Sequence, residues 1–258
     1  LFLYYGSFVN TVFIINNVNS HKHWQKTAMN RKGIISVGNW LVDILKFITA
    51  WPSEGNLANI VREESGLGGC SHNVLADLAG MRSGLPLFGG GCIGSDANGD
   101  RILREAEEAG IDTRFFHRID LPTSYTDVMI PVGGSTRTFF HNRGANSKLD
   151  IEHFQDIDVP AKIFHLGYLL LLDGLDAPDP PYGVREARVL DLLKQKGYKT
   201  SVDVVSEESD RFPAIVIPCL PYTDYLIVQE NEAGACVGES LRDDDGIDIG
   251  KVSQTAVR

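Results

Sequence analysis

Residues 66–73 read GLGGCSHN and run straight into the helix-forming stretch VLADLAG. Gly68 and Gly69 have no side chains, so a ligand can approach their backbone closely. The first N–H groups of the following helix have no partner inside it and point outward. Asn73 carries a donor and an acceptor on one amide, which is what a sugar hydroxyl needs. A phosphate-binding loop would require Lys-Ser or Lys-Thr after the glycines, and neither is there. Taken alone, the segment also reads as an ordinary helix start with Ser71 as N-cap.

Asp43 follows the first strand in VGNWLVDIL. A carboxylate at a strand's carboxyl end can accept hydrogen bonds from two neighbouring hydroxyls and repels an anion, which suits a polyol; a solvated turn aspartate is the competing reading. Gly89, Gly91 and Gly94 in GGGCIG satisfy the dinucleotide-binding spacing, with Asp112 at a suitable distance for a ribose contact. However, the strand is not the first of the sheet, and SDANGD separates it from its helix, so a glycine-rich turn is favoured. Asp203, Glu207 and Glu208 are candidates for lining a phosphate site, but surface acids on a loop are the stronger reading and none is assigned as a base.

Alternating strands and helices must position these residues. IISVGN (34–39), LPLFGGGCIG (85–94), KIFHLGYLLLL (162–172), KTSVDVV (199–205) and DYLIVQ (224–229) read as buried strands. HNVLADLAGM (72–81), DRILREAEEAG (100–110, ending at the C-cap Gly110) and VREARVLDLLKQKG (184–197) read as helices. That alternation predicts an α/β fold with a mostly parallel sheet covered on both faces. Residues 56–65 and 124–142 instead alternate with period two, the second folding at Gly133-Gly134, and predict antiparallel strands forming a small β flap over the open end of the sheet.

Bulk properties narrow the function. At 258 residues, with 43% hydrophobic and 22% charged side chains, the chain has the composition of a single large globular domain. A net charge of −10 provides no broad positive field for nucleic acid or an anionic membrane, so a small neutral partner is expected. Cys70, Cys92, Cys219 and Cys236 form no C-x-x-C pair, which predicts reduced thiols in a cytoplasm rather than a zinc site. The apolar run within residues 1–30 has no basic flank and is broken by Asn10, Asn16 and Asn17, making a poor signal peptide and a poor membrane span. We read 1–30 as an extension outside the fold, with Met29 as the expected start and His21 and His23 as a solvated pair. Residues 31–258 form the domain.

The blocks VGNWLVD, ESGLGGCSHNVLADLAG, GCIGSDANGDRILREAEEAGID, FFHNRGAN and YLIVQENEAGACVG, in that order from about Ile34 onward, resemble the ribokinase-like PfkB family of carbohydrate kinases. The resemblance implies a ribokinase-like sheet with a β lid, and transfer of a phosphoryl group from ATP, with Mg2+, to a hydroxyl of a sugar or related polyol. It implies that Asp43, Gly68, Gly69 and Asn73 hold sugar hydroxyls and that Asn146, in the GAN at 144–146, lies near the same pocket. QENE matches the family's N-x-x-E motif for magnesium and phosphate, with Glu232 fitting and Gln229 replacing the usual asparagine. Leu41 stands where ribose kinases carry a substrate-contacting asparagine, which argues against ribose. The lid also implies a homodimer.

The family's D-T-x-G-A-G-D run, which forms the anion hole and supplies the catalytic base, is absent from these residues. The expectation is therefore a chain that lacks the C-terminal catalytic and nucleotide-binding part and is inactive as given. Two alternatives stand beside the sugar kinase: a nucleoside (adenosine-like) kinase, with Trp40, Phe139 and Phe140 around the base, and an inactive sugar-binding fragment.

Overall fold

The computed structural model describes residues 12–16, 31–134, 136–243, 246–248 and 251, without the side chains of 12–16, 242, 243, 246 and 247. In chain order the elements are Val12–Asn16 (β1), Ile34–Gly38 (β2), Leu41–Ile48 (β3), Ile60–Gly68 (β4), Cys70–Gly80 (α1), Leu87–Gly94 (β5), Ala97–Glu108 (α2) and Asp112–Ile119 (β6). Then come Tyr125–Pro131 (β7), Thr138–Asn142 (β8), Ile163–Leu169 (β9), a two-residue pair Pro178–Asp179 (β10) and Gly183–Val184 (β11), Arg185–Gln195 (α3), Lys199–Val204 (β12), Phe212–Cys219 (α4), Tyr225–Gln229 (β13), Glu230–Val237 (α5), and a short ribbon of Arg242–Asp243 (β14) and Gly246–Ile247 (β15).

Every residue of β2 is buried, and its side chains alternate between two cores. Ile34 joins the cluster formed with Leu75 of α1 and Ile102 of α2, while Ile35 and Val37 join the larger cluster that includes Leu190 of α3 and Val216 of α4. A strand covered on both faces is largely apolar, which is why IISVG carries no polar alternation and only one polar side chain, the buried Ser36. Each such side chain taken fully out of water contributes about 1.5–3 kcal/mol.

The main sheet runs in the order β1-β13-β12-β9-β2-β5-β6. All its pairings are parallel except β1 with β13. The order reverses around β2, whose neighbours are β9 and β5, so the carboxyl ends of β2 and β9 border the crevice where an open α/β sheet takes its ligand. Part of the N-terminal stretch expected to lie outside the fold contributes β1, which pairs Val12 opposite Gln229 and covers a sheet edge. His21 and His23 lie outside the described residues.

The helix ends follow the sequence closely. After α2, the N–H of Ile111 bonds to the carbonyl of Ala106 and that of Gly110 to Glu107, with Gly110 at φ +77°. This is a Schellman ending, and only glycine takes that backbone without cost. The start of α2 differs from expectation: Asp96 caps it by accepting from the Gly99 N–H at 2.8 Å, so the helix begins inside the DANGD expected to be a spacer. Among the described residues no helix is long and apolar enough to cross a membrane.

The lid is a separate four-stranded sheet, β4-β3-β7-β8. Its strands at 60–68, 125–131 and 138–142 fall at or near the stretches expected from period-two alternation, although residues 56–59 lie outside any strand. The fourth strand, β3, is a correction: the segment holding Asp43 is not a turn after the first strand but an eight-residue strand of the lid. Its polar and apolar residues do not alternate strictly, because it lies between β4 and β7 and is partly covered on both sides.

Candidate functional site

The chain passes from the main sheet into the lid through Gly38, Asn39 and Trp40. Gly38 has φ +145°, and any Cβ there would overlap the carbonyl oxygen of Gly167 at the end of β9. The Asn39 N–H donates to that same carbonyl at 2.6 Å. Asn146 secures the corner from the other side. It is fully buried, and its Nδ2 donates to Asn39 Oδ1 at 2.9 Å and to the Trp40 carbonyl at 3.0 Å. Its donor is therefore spent inside the chain, and only its Oδ1, buried without a hydrogen-bond partner, remains.

That corner aims β3 so that Asp43 sits opposite Gly66 of β4 and Thr126 of β7. The Asp43 carboxyl lies directly over Gly68, where a Cβ would overlap its Oδ2. Gly68 is thus glycine to make room for the carboxylate, a reason not visible in the local sequence. Gly69 has φ +93° and is packed against the Asn39 carbonyl, so a side chain is excluded there as well. Burial raises the Asp43 pKa, opposed by a hydrogen bond from Thr126 and by the charges of His72 and Arg137.

Asn73 is exposed at the first turn of α1, its Oδ1 3.0 Å from His72 Nδ1. Gly69, not Ser71, occupies the N-cap position, and no side chain caps α1. The N-terminal N–H groups of α1 are thus free of the competing hydroxyl that the simpler reading assigned to them.

Tyr168, just past Gly167, is a half-buried residue that no sequence signal picked out. Burial is the main cause of its raised pKa, and the charges of Asp203, Cys70, Glu232 and Asp43 all add to it. On the far side, Glu232 Oε2 accepts the Gln229 backbone N–H at 2.7 Å and Oε1 accepts from Ser206 Oγ at 2.5 Å. Burial raises the Glu232 pKa, with the Gln229 and Ser206 hydrogen bonds opposing it. Gln229 holds the N-cap position of α5 and forms a capping box with Glu232.

The three acids at and after the end of β12 separate cleanly. Glu208 is exposed, and Glu207 is tied to Arg211 at 2.6 Å and Arg143 at 3.5 Å, as surface acids should be. Asp203 is different: its side chain is only 14% exposed and approaches His165 Nε2 at 3.6 Å. The glycine fingerprint is structural. Gly89 and Gly91 lie against Trp40, and a Cβ on Gly94 would stand 2.5 Å from the Leu121 carbonyl oxygen, so this strand end offers no open cradle. Asp112 is paired with Arg114 at 2.5 Å.

The pfkB family carbohydrate kinase profile matches residues 32–255, nearly the whole of the described domain. The chain belongs to the pfkB carbohydrate kinase family. Its fold is that of the ribokinases: it is similar to ribokinase from Arabidopsis thaliana, solved with ribose and ATP, at 20% identity with a TM-score of 0.64, covering 88% of this chain and 68% of that one. Ribokinase from Thermotoga maritima matches at 19% identity and a TM-score of 0.62, over 87% and 69% of the two chains. Fructokinase from Xylella fastidiosa matches at 20% and 0.58, over 88% and 69%. The aromatic residues expected around a nucleoside base fare differently within this pfkB fold. Trp40 is fully buried, edge-on to Phe116 at 4.9 Å and to His72 at 5.5 Å, while Phe139 and Phe140 are exposed on the lid.

Proposed function

We propose that this chain forms the acceptor side of a sugar kinase, binding a sugar or related polyol whose hydroxyl receives the γ-phosphoryl group of ATP. The observation that carries this reading is the Asp43 carboxylate, which the lid strand β3 sets over the bare backbone of Gly68. Ionised, it accepts hydrogen bonds from two adjacent hydroxyls; Thr126 fixes its direction, and the lid limits water around it. Asn73, at the mouth of α1, supplies a donor and an acceptor at the rim. The same carboxylate repels an acceptor that already carries phosphate beside it.

Phosphoryl transfer depends on positioning and on charge stabilisation, and a bound Mg2+ supplies the latter by neutralising phosphate charge. Both Glu232 oxygens already accept protein hydrogen bonds, so this carboxylate fits a role through the metal's water molecules rather than by direct ligation. Gln229 holds the start of α5 and thereby keeps Glu232 in place. The burial of Trp40 removes one wall of a nucleoside pocket and favours the sugar reading over the nucleoside one.

The test is calorimetric titration of the protein with a panel of hexoses, pentoses, polyols and nucleosides. A sugar or polyol should bind, and Asp43→Ala should weaken it at least about a hundredfold, because the remaining polar groups of the pocket lose their partner. Equal affinity in Asp43→Ala, or binding confined to nucleosides, would remove this reading.

A further inference from the structure

Behind the Asp43 pocket, three side chains from three elements converge. Cys70 opens α1, His165 lies in β9 and Asp203 lies near the end of β12. Cys70 Sγ is 3.1 Å from His165 Nε2, and His165 Nε2 is 3.6 Å from Asp203 Oδ1. All three donor atoms lie within 4.8 Å of one another, and Cys70 and His165 are only 5% and 2% exposed. A four-coordinate zinc ion with sulfur at about 2.3 Å and nitrogen or oxygen at about 2.0–2.2 Å places its ligands roughly 3.3–3.6 Å apart. The spacing here needs only small side-chain movements to match it.

The surroundings favour a cation. His165 Nδ1 lies 3.1 Å from Ser201 Oγ, which fixes the ring and leaves the Nε2 lone pair facing the cluster. Asp203 Oδ1 is buried without a hydrogen-bond partner of normal geometry. Gly167 forms the adjoining wall, where a Cβ would stand 2.7 Å from Cys70 Sγ and 2.8 Å from Asp203 Oδ1 and close the space. Burial pushes the Cys70 thiol and the Asp203 carboxyl well up and brings His165 down to about 4.

We propose that Cys70 Sγ, His165 Nε2 and Asp203 Oδ1 form a binding site for a borderline-soft divalent cation of the zinc class, with a fourth position left to solvent. On binding, the Cys70 thiol and the Asp203 carboxyl lose their protons to solvent, so a dication, a thiolate and a carboxylate leave the buried site electrically neutral. The mixed sulfur, nitrogen and oxygen set discriminates against Mg2+, which takes oxygen ligands and keeps its waters. The site is distinct from Glu232, whose carboxylate faces Gln229 and Ser206.

Titration of the chelator-treated full chain with Co2+ tests this directly. One equivalent should produce a thiolate-to-cobalt charge-transfer band and the strong visible bands of a four-coordinate centre. An equivalent of Zn2+ should abolish both, and a large excess of Mg2+ should leave them unchanged. Cys70→Ser should abolish the charge-transfer band, whereas Cys92→Ser and Cys236→Ser should retain it. Ser201→Ala should weaken cobalt binding about 10–100-fold through loss of the ring-orienting contact. Circular dichroism of each variant establishes folding; should Cys70→Ser fail to fold, Asp203→Asn, which keeps the thiolate, should retain the band but bind cobalt at least about tenfold more weakly. A folded wild-type chain that gives no charge-transfer band, a band that survives in folded Cys70→Ser, or cobalt affinity unchanged in Asp203→Asn would overturn the proposal.

Discussion

Gly68 and Asp43 occupy one small volume, and the side chain that is missing matters as much as the one that is present. Any Cβ at Gly68 would overlap Asp43 Oδ2, whereas Gly66, two residues earlier on the same strand, has nothing within 4 Å of its Cβ position. We predict that Gly68→Ala displaces the Asp43 carboxylate and lowers sugar affinity at least about tenfold, since about 1.4 kcal/mol of lost hydrogen bonding is enough for that change. Gly66→Ala should leave affinity within a factor of two or so. Calorimetry on the two variants separates a local steric effect from a general one. Glycine pairs are common in sequences; what singles out this one is the carboxylate that β3 brings over it.

Among the elements, the β2–β3 corner and the start of α3 make the clearest predictions. Asn146 joins a 3-10 turn to the corner through Asn39 and Trp40. Asn146→Ala should cost about 1–3 kcal/mol in denaturant unfolding, because buried polar groups lose their donor, and should weaken sugar binding as β3 loosens. Glu186, fully buried in the first turn of α3, has a pKa well above its ordinary 4.5, with burial the main cause and nearby Asp176 adding to it. The folded state therefore holds this proton more tightly than the unfolded chain, so stability falls as pH rises above about 4.5 and the unfolded state begins to release it. The acids with lowered pKa, such as Asp224 and Asp96, act in the opposite direction at low pH. Glu186→Gln isolates the Glu186 contribution: melting temperatures recorded from pH 5 to 8 should decline less steeply than in the wild type. Parallel curves would show that Glu186 is not the source of the slope.

At the scale of the whole molecule, the lid region exposes several large apolar side chains. Val61, Val132, Phe139 and Phe140 are each more than half exposed, at 58%, 60%, 59% and 52%. Pairing with the lid of a second copy would remove this surface from water, in keeping with the homodimer that the family resemblance implies. Sedimentation should then show a concentration-dependent dimer, and Phe140→Asp should shift it to monomer while leaving the circular dichroism unchanged. A wild-type chain that is monomeric at all concentrations would leave the lid as a flap only.

The sequence by itself determined the class of fold, the buried parallel strands, and the helix ends at Gly110 and Gly197. Those features depend on period, local turn chemistry and ordered motifs, all of which lie along the chain. Only the tertiary structure showed that Asp43 belongs to the lid rather than to a turn, because β3 is recognised by its partners β4 and β7 and not by its own alternation. Only tertiary structure could show that Asn146 spends its donor on the corner and that Trp40 is core. The same holds for Cys70, His165 and Asp203: no metal-ligand spacing connects positions 70, 165 and 203. Parallel pairing of β9 with β12 and the docking of α1 beside β9 bring them within reach of one ion, and such distances are set by the packing of elements rather than by separation along the chain.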